Sequence, residues 1–136
     1  MSEKTPSVFA QVPKEKWLID AEYYYVIEDG YPVNPGHLLI VSKRQECNDY
    51  FDLTPKERQE LPEVIRQARE WIEEYYYPDG YNIGINCGES AGQTVFHFHC
   101  HVIPRYEGDM KDPRGGVRHC VEGKGGLRHK NNDHSP

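Results

Sequence analysis

The sequence predicts an α+β domain, with several short strands in an order suited to antiparallel pairing and one main helix. Three observations carry this reading. Short runs rich in β-branched and aromatic residues recur between turn-forming residues. Only one segment combines helical periodicity with a full start signal. Strand-like runs stand both before and after that helix.

Val8 to Val12 reads as a short strand, as do Trp17 to Ile19 and Tyr23 to Ile27. Glu28-Asp29-Gly30 is a turn, and Tyr31 to Gly36, with two prolines and a glycine, is a loop or irregular edge. His37 to Ser42 is another apolar strand. Thr54 is placed as N-cap, Pro55 at N1 and Glu57 at N3, a capping box with proline where its missing N–H costs nothing. Leu61, Ile65, Ala68 and Ile72 then recur at helical spacing. Pro62 removes a donor and crowds the preceding turn, which predicts a kink or break. The helix should end by Tyr77, before Pro78-Asp79-Gly80. Tyr81 to Asn86 alternates like a strand, Gly88 to Gly92 is a Gly-rich loop, and Thr94 to Ile103 is a clear strand. Residues 1–120 are expected to form a single domain, and residues 121–136 a polar, flexible C-terminal tail.

Composition excludes several classes. The 136 residues suit one modest core, and 37% hydrophobic residues can fill it. The formal charge is −6 and no Lys/Arg-rich run occurs, which argues against a general affinity for nucleic acid. A small anionic substrate is compatible, since a local site can oppose the net sign. No run approaches the roughly 20 apolar residues of a membrane span. Met1 to Pro13 lacks the apolar stretch of a secretory signal, so a cytoplasmic location is expected. Cys47, Cys87, Cys100 and Cys120 form no CxxC pair and are expected as reduced thiols.

The informative segment is Gln93-Thr94-Val95-Phe96-His97-Phe98-His99-Cys100-His101-Val102-Ile103-Pro104-Arg105. Side chains alternate faces along a strand. His97, His99 and His101 therefore share one face at spacings of roughly 6.7 Å, and Phe96, Phe98, Cys100 and Val102 share a core face. Three readings compete. A row of surface histidines is one. A metal centre is another: His97 and His99 could share zinc, but the outer pair would lie about 13 Å apart on a regular strand, too far for bonds of about 2.1 Å to one ion. The third is nucleophilic catalysis. Neutral imidazole is a good nucleophile for phosphorus when its other nitrogen is held as a donor, and its neighbours can contact the leaving group.

His97-Phe98-His99-Cys100-His101-Val102-Ile103 resembles the signature of the histidine-triad (HIT) superfamily of nucleotide hydrolases and transferases. Pro35-Gly36-His37-Leu38-Leu39-Ile40 is similar to the family's upstream strand with its fourth histidine, and Asn86-Cys87-Gly88 through Ala91-Gly92-Gln93-Thr94-Val95 to its phosphate-side loop. Phe51-Asp52-Leu53-Thr54 also matches, so the likeness spans roughly residues 7–118. The resemblance implies an antiparallel sheet of about five strands with one long helix, continued across a homodimer. It implies that His99 attacks the α-phosphorus, that the His97 carbonyl holds the His99 ring, that His101 contacts phosphate and bridging oxygen, and that His37 supports them. It places Asn86, Gln93 and Thr94 against phosphate, and Asp29 where a ribose-binding residue stands, although an ordinary Asp-Gly turn explains Asp29 equally well.

Relatives with a structural zinc carry a CxxC and a further histidine where this chain has Ser7-Val8-Phe9-Ala10 and Gln45, so no metal and no cofactor are expected. The Trp-Pro-Pro-Gly-like ending of the phosphoramidate-cleaving branch is absent, and the Gln93 and Arg105 regions look more like the dinucleoside polyphosphate hydrolases of the fragile-histidine-triad type. A diadenosine polyphosphate is the expected substrate; phosphoramidate hydrolysis and nucleotidyl transfer are alternatives within the family. A metal-dependent HxH enzyme and a non-catalytic nucleotide-binding module are alternatives outside it. Arg114 and Arg118 read as a solvated loop more than as contacts to distal phosphates, and His119, His129 and His134 as bystanders. Tyr23-Tyr24-Tyr25 and Tyr75-Tyr76-Tyr77 read as packing.

Overall fold

Thr54 opens the helix as its side chain dictates in the computed structural model, which describes residues 4–126. Its hydroxyl accepts the Glu57 N–H at 3.2 Å and the Glu57 carboxylate accepts the Thr54 N–H at 2.7 Å. The helix runs Pro55–Tyr75, so Tyr76 and Tyr77 lie just beyond it. It buries Leu61, Val64, Ala68 and Ile72, the stripe that spacing of three and four residues produces.

Of the kink or break expected at Pro62, the break does not occur: the helix is continuous through it. Pro62 and Arg58 both lie on the exposed face. The Arg58 carbonyl, which loses its i+4 donor, can bond water there, while the buried stripe holds the turns on either side. Pro62→Ala restores that donor, and should raise stability by about 1–3 kcal/mol in urea denaturation. An unchanged midpoint would mean that the proline costs the helix nothing.

Five strands form one antiparallel sheet: β1 (Ile19–Asp20), β2 (Tyr24–Glu28), β3 (Leu38–Ser42), β4 (Gly80–Gly84) and β5 (His99–Arg105), in the order β1-β2-β3-β5-β4. The α+β expectation holds. Alternation gives the sheet two different faces. Tyr24, Val26, Leu38, Ile40, Phe98, Cys100 and Val102 pack against the helix as the main core. Tyr25, Ile27, Leu39 and Val41 form a second apolar cluster, covered by Phe9, Val12 and Trp17.

The bounds of β1 to β4 lie within about two residues of expectation, and two differences are larger. Val8 to Val12 forms turns: the Ser7 hydroxyl accepts the Ala10 N–H at 3.2 Å, and the Phe9 carbonyl accepts the Val12 N–H at 3.1 Å. The segment expected from Thr94 enters the sheet only at His99. Before that, the Phe98 N–H bonds the Cys47 carbonyl at 2.7 Å, which steers the approach to β5.

Gly36, at φ +93°, makes the turn into β3 beside a close neighbour: a Cβ there would lie 3.0 Å from the Tyr76 ring. The described chain divides after Arg105 into two compact units. The second carries a short 3-10 turn, Gly116–Cys120, and an Arg114–Asp112 ion pair at 3.0 Å. His129, His134 and most of the tail expected over 121–136 lie outside the described residues. No helix among the described residues is long and apolar enough to cross a membrane. All four cysteines are free thiols.

Candidate active site

The sheet register places two imidazoles among the second apolar cluster. Tyr25 pairs with Val41, and Val41 with His99; Ile27 pairs with Leu39, and Leu39 with His101. Direct partners across antiparallel strands share a face, so His99 and His101 lie opposite the helix. Their ring centroids are 5.3 Å apart.

His97 precedes the strand, and its ring meets the same Phe9 that contacts His99, with centroids 6.0 Å apart. Its ring is buried, with Nε2 2.6 Å from the Ser42 carbonyl and Nδ1 2.5 Å from the Ser7 hydroxyl. A nitrogen facing a carbonyl must carry hydrogen, so neutral His97 is protonated on Nε2 and accepts from Ser7 on Nδ1. Both nitrogens are engaged, which leaves none for a metal shared with His99, the alternative raised by the His97–His99 spacing. Ser7 also donates its N–H to Gln45 at 2.7 Å. Hydrogen bonds thus join Ser7, Gln45 and His97.

The main chain of His97 serves His99. The His97 carbonyl lies 2.8 Å from His99 Nδ1. That nitrogen must donate, so the lone pair of neutral His99 sits on Nε2. Burial lowers the His99 pKa from 6.5, and the ring is neutral at pH 7. Phe9 closes on it edge to face, with centroids 4.7 Å apart.

His101 and His37 meet across β3 and β5, with His101 Nδ1 and His37 Nε2 2.9 Å apart. Asp29 Oδ2 is 3.4 Å from His37 Nε2 and 3.9 Å from His101 Nδ1, while Oδ1 accepts the Tyr31 N–H at 2.8 Å. Asp29 is therefore both a turn-former and a neighbour of the imidazoles. Burial and the nearby His99 and His37 rings push His101 down to about 4, although Asp29 opposes the shift. Burial also lowers His37, again against Asp29.

Asp29, His37 and His101 are spaced closely enough to hold one ion, with ligand atoms within 4.8 Å of one another. The second nitrogen of His37 argues against it. A metal-bound imidazole donates its other N–H outward. Here the Val33 N–H points at His37 Nδ1 from 3.0 Å, so Nδ1 is an acceptor and the hydrogen is on the nitrogen the metal would need.

The glycine-rich loop is braced from inside. Gln93 is buried; its carbonyl oxygen accepts the Gly88 N–H at 2.8 Å, and its amide donates to the Asn48 and Val95 carbonyls at 2.7 and 3.2 Å. Of the three residues matched to phosphate contacts, Asn86 and Thr94 are exposed and Gln93 is occupied within the loop. Sequence reasoning missed Phe9, and it missed Trp17, which stacks on Tyr25 at 4.2 Å. The only available signal was alternation, which sets Tyr25 on the face opposite Tyr24. A depression of about 320 Å³ lined by Glu22, Tyr23, Lys56, Gln59 and Glu60 includes none of the histidines, and Glu60 is spent on the Glu22 and Tyr23 amides.

The fold and the cluster define a small α+β protein that carries a neutral, backbone-braced imidazole on the helix-free face of its sheet. The chain belongs to the HIT-domain family, whose model matches residues 10–108. It is 37% identical over 107 residues to a Mycobacterium tuberculosis protein named AP-4-A phosphorylase, covering 74% of this chain and 54% of that one. It is 36% identical over 93 residues to a Saccharomyces cerevisiae bis(5'-adenosyl)-triphosphatase, covering 68% and 45%. The chain thus spans about half the length of the curated relatives it matches. A crystal structure of a HIT family protein from Bacillus anthracis superposes with a TM-score of 0.64 at 36% identity, over 69% of this chain and 66% of that one.

Proposed function

We propose that this chain cleaves a dinucleoside polyphosphate at its α-phosphorus through a covalent nucleotidyl-His99 intermediate. The observation that carries the proposal is the 2.8 Å bond from His99 Nδ1 to the His97 carbonyl, which leaves the Nε2 lone pair free to attack. In the first step Nε2 bonds to phosphorus and the bridging P–O bond breaks, releasing a nucleotide anion. His101 faces the departing oxygen and hydrogen-bonds its growing charge. In the second step water or phosphate attacks the same phosphorus, the P–N bond breaks and the neutral ring returns.

Asn86, Thr94 and the loop amides take the phosphate oxygens, with Gln93 holding the loop in shape. Asp29 takes a ribose hydroxyl, and the Phe9 edge of the apolar cluster borders the nucleoside. The names of the two curated relatives support this substrate class. As in other members of the family, the active form is proposed to be a homodimer.

Mass spectrometry of products from diadenosine tetraphosphate in oxygen-18 water, with chelator present, tests the reading. Labelled AMP and unlabelled ATP are expected if water is the acceptor. ADP and ATP on adding phosphate would make the chain a phosphorylase. Intact substrate under both conditions would end the polyphosphate reading, and an adenosine phosphoramidate would then test the other branch.

A further inference from the structure

The loop before β3 controls more than the position of His37. Pro32 and Pro35 flank Val33 and Asn34. The Asn34 side-chain amide donates to the Pro104 carbonyl at 3.0 Å, and the Asn34 carbonyl accepts the His37 N–H at 3.2 Å. Proline rings and these bonds fix where the Val33 N–H points, which is at His37 Nδ1 from 3.0 Å.

A backbone N–H can only donate, so His37 Nδ1 carries the lone pair and neutral His37 bears its hydrogen on Nε2. The closest acceptor for that hydrogen is His101 Nδ1 at 2.9 Å; Asp29 Oδ2 is farther, at 3.4 Å. His101 therefore accepts on Nδ1 and bears its own hydrogen on Nε2. The opposite arrangement would set the Val33 N–H against an N–H of His37.

We infer that the Val33 amide, acting through His37, holds His101 as a neutral Nε2–H donor and so selects substrates whose leaving group departs as an anion. This rests on the reading above, in which His101 faces the departing oxygen. The neutral ring can stabilise charge by a hydrogen bond. It cannot give up its Nε2 proton without leaving an imidazolate, on itself or, if the His37 proton follows onto Nδ1, on His37. A polyphosphate needs no proton when the P–O bond breaks, because its terminal oxygen leaves as a stable anion. An alkylamine does need one when a P–N bond breaks. Val33 is a positioning residue in this scheme. The lowered pKa of His101 agrees with it.

Two measurements on the whole chain test it. In long-range proton–nitrogen spectra of histidine-labelled protein at about pH 7, His37 and His101 should each be protonated on Nε2 alone. Replacing the Val33 amide by an ester, or Val33→Pro, should shift His101 toward Nδ1 protonation, while Val33→Ala keeps the wild-type pattern. An imidazolium at His101, or tautomers indifferent to loss of the amide, would overturn the inference whether or not any nucleotide is turned over.

The second measurement is kcat for adenylates with graded leaving groups. An alkylamine should react about a hundredfold or more slowly than a polyphosphate. The ester variant should lose about tenfold on the polyphosphate. Equal rates across the series would overturn the proposed selection. No turnover of any member would sink the functional reading, and the ring-nitrogen spectra alone would then decide the positioning.

Discussion

His99→Ala is expected to lower turnover of diadenosine tetraphosphate on the order of 10⁴-fold or more, with the protein still folded. The size follows from what is removed. Without Nε2 no covalent intermediate forms, and a single direct displacement must replace two easier steps. Acid-labile, alkali-stable label from an α-phosphate-labelled substrate should be trapped on the wild type and be absent from the variant. His99→Gly should recover part of the rate when free imidazole is added, because the pocket left by the ring is bounded by Phe9 and by the His97 carbonyl. A His99→Ala protein that retains turnover within about tenfold would remove the nucleophile from the scheme.

Acid should destabilise the fold through the same rings. Unfolded, His101 takes up a proton near pH 6.5; folded, it resists until about 4. Between those values the unfolded state binds more protons, so stability falls as pH falls, and for this group the loss levels off below about pH 4. At ~1.4 kcal/mol per unit, His101 contributes a loss of about 3 kcal/mol across the window. Burial lowers His37, His97 and His99 in the same direction, so they add to it. In urea denaturation at about pH 7.5 and pH 5, wild type should lose about 2 kcal/mol more than His101→Asn. Equal losses in the two proteins would show that His101 is not held neutral by its surroundings.

The helix was the most legible element because its signal is local. Thr54, Pro55 and Glu57 sit within four residues, and each acts on its neighbour's backbone. The faces of β5 were legible for the same reason: alternation alone sends Cys100 and Val102 to the core and His99 and His101 away from it. What failed depended on distant partners. His97 looked like a free member of a row of three imidazoles, but the Ser42 carbonyl and the Ser7 hydroxyl occupy both of its nitrogens. The tautomer of His101 depends on Val33, sixty-eight positions earlier in the chain. Gln93 resembled a phosphate contact in motif, yet its amide is closed off by Gly88, Asn48 and Val95. That the helix would run on through Pro62 was not legible, because a propensity does not record which side of a helix faces water.

The groups that set the rings are largely main-chain atoms: the carbonyls of His97 and Ser42 and the amide of Val33. A point substitution cannot delete a carbonyl, and most cannot delete an amide. Replacing the imidazole at position 97 would therefore leave the carbonyl that braces the nucleophile in place. Length changes are a different matter. One residue inserted or lost between Pro32 and Gly36 would move the amide off His37 and leave every histidine in place, so lineages of this protein should keep the length of that loop constant, together with the prolines and Asn34 that aim the amide.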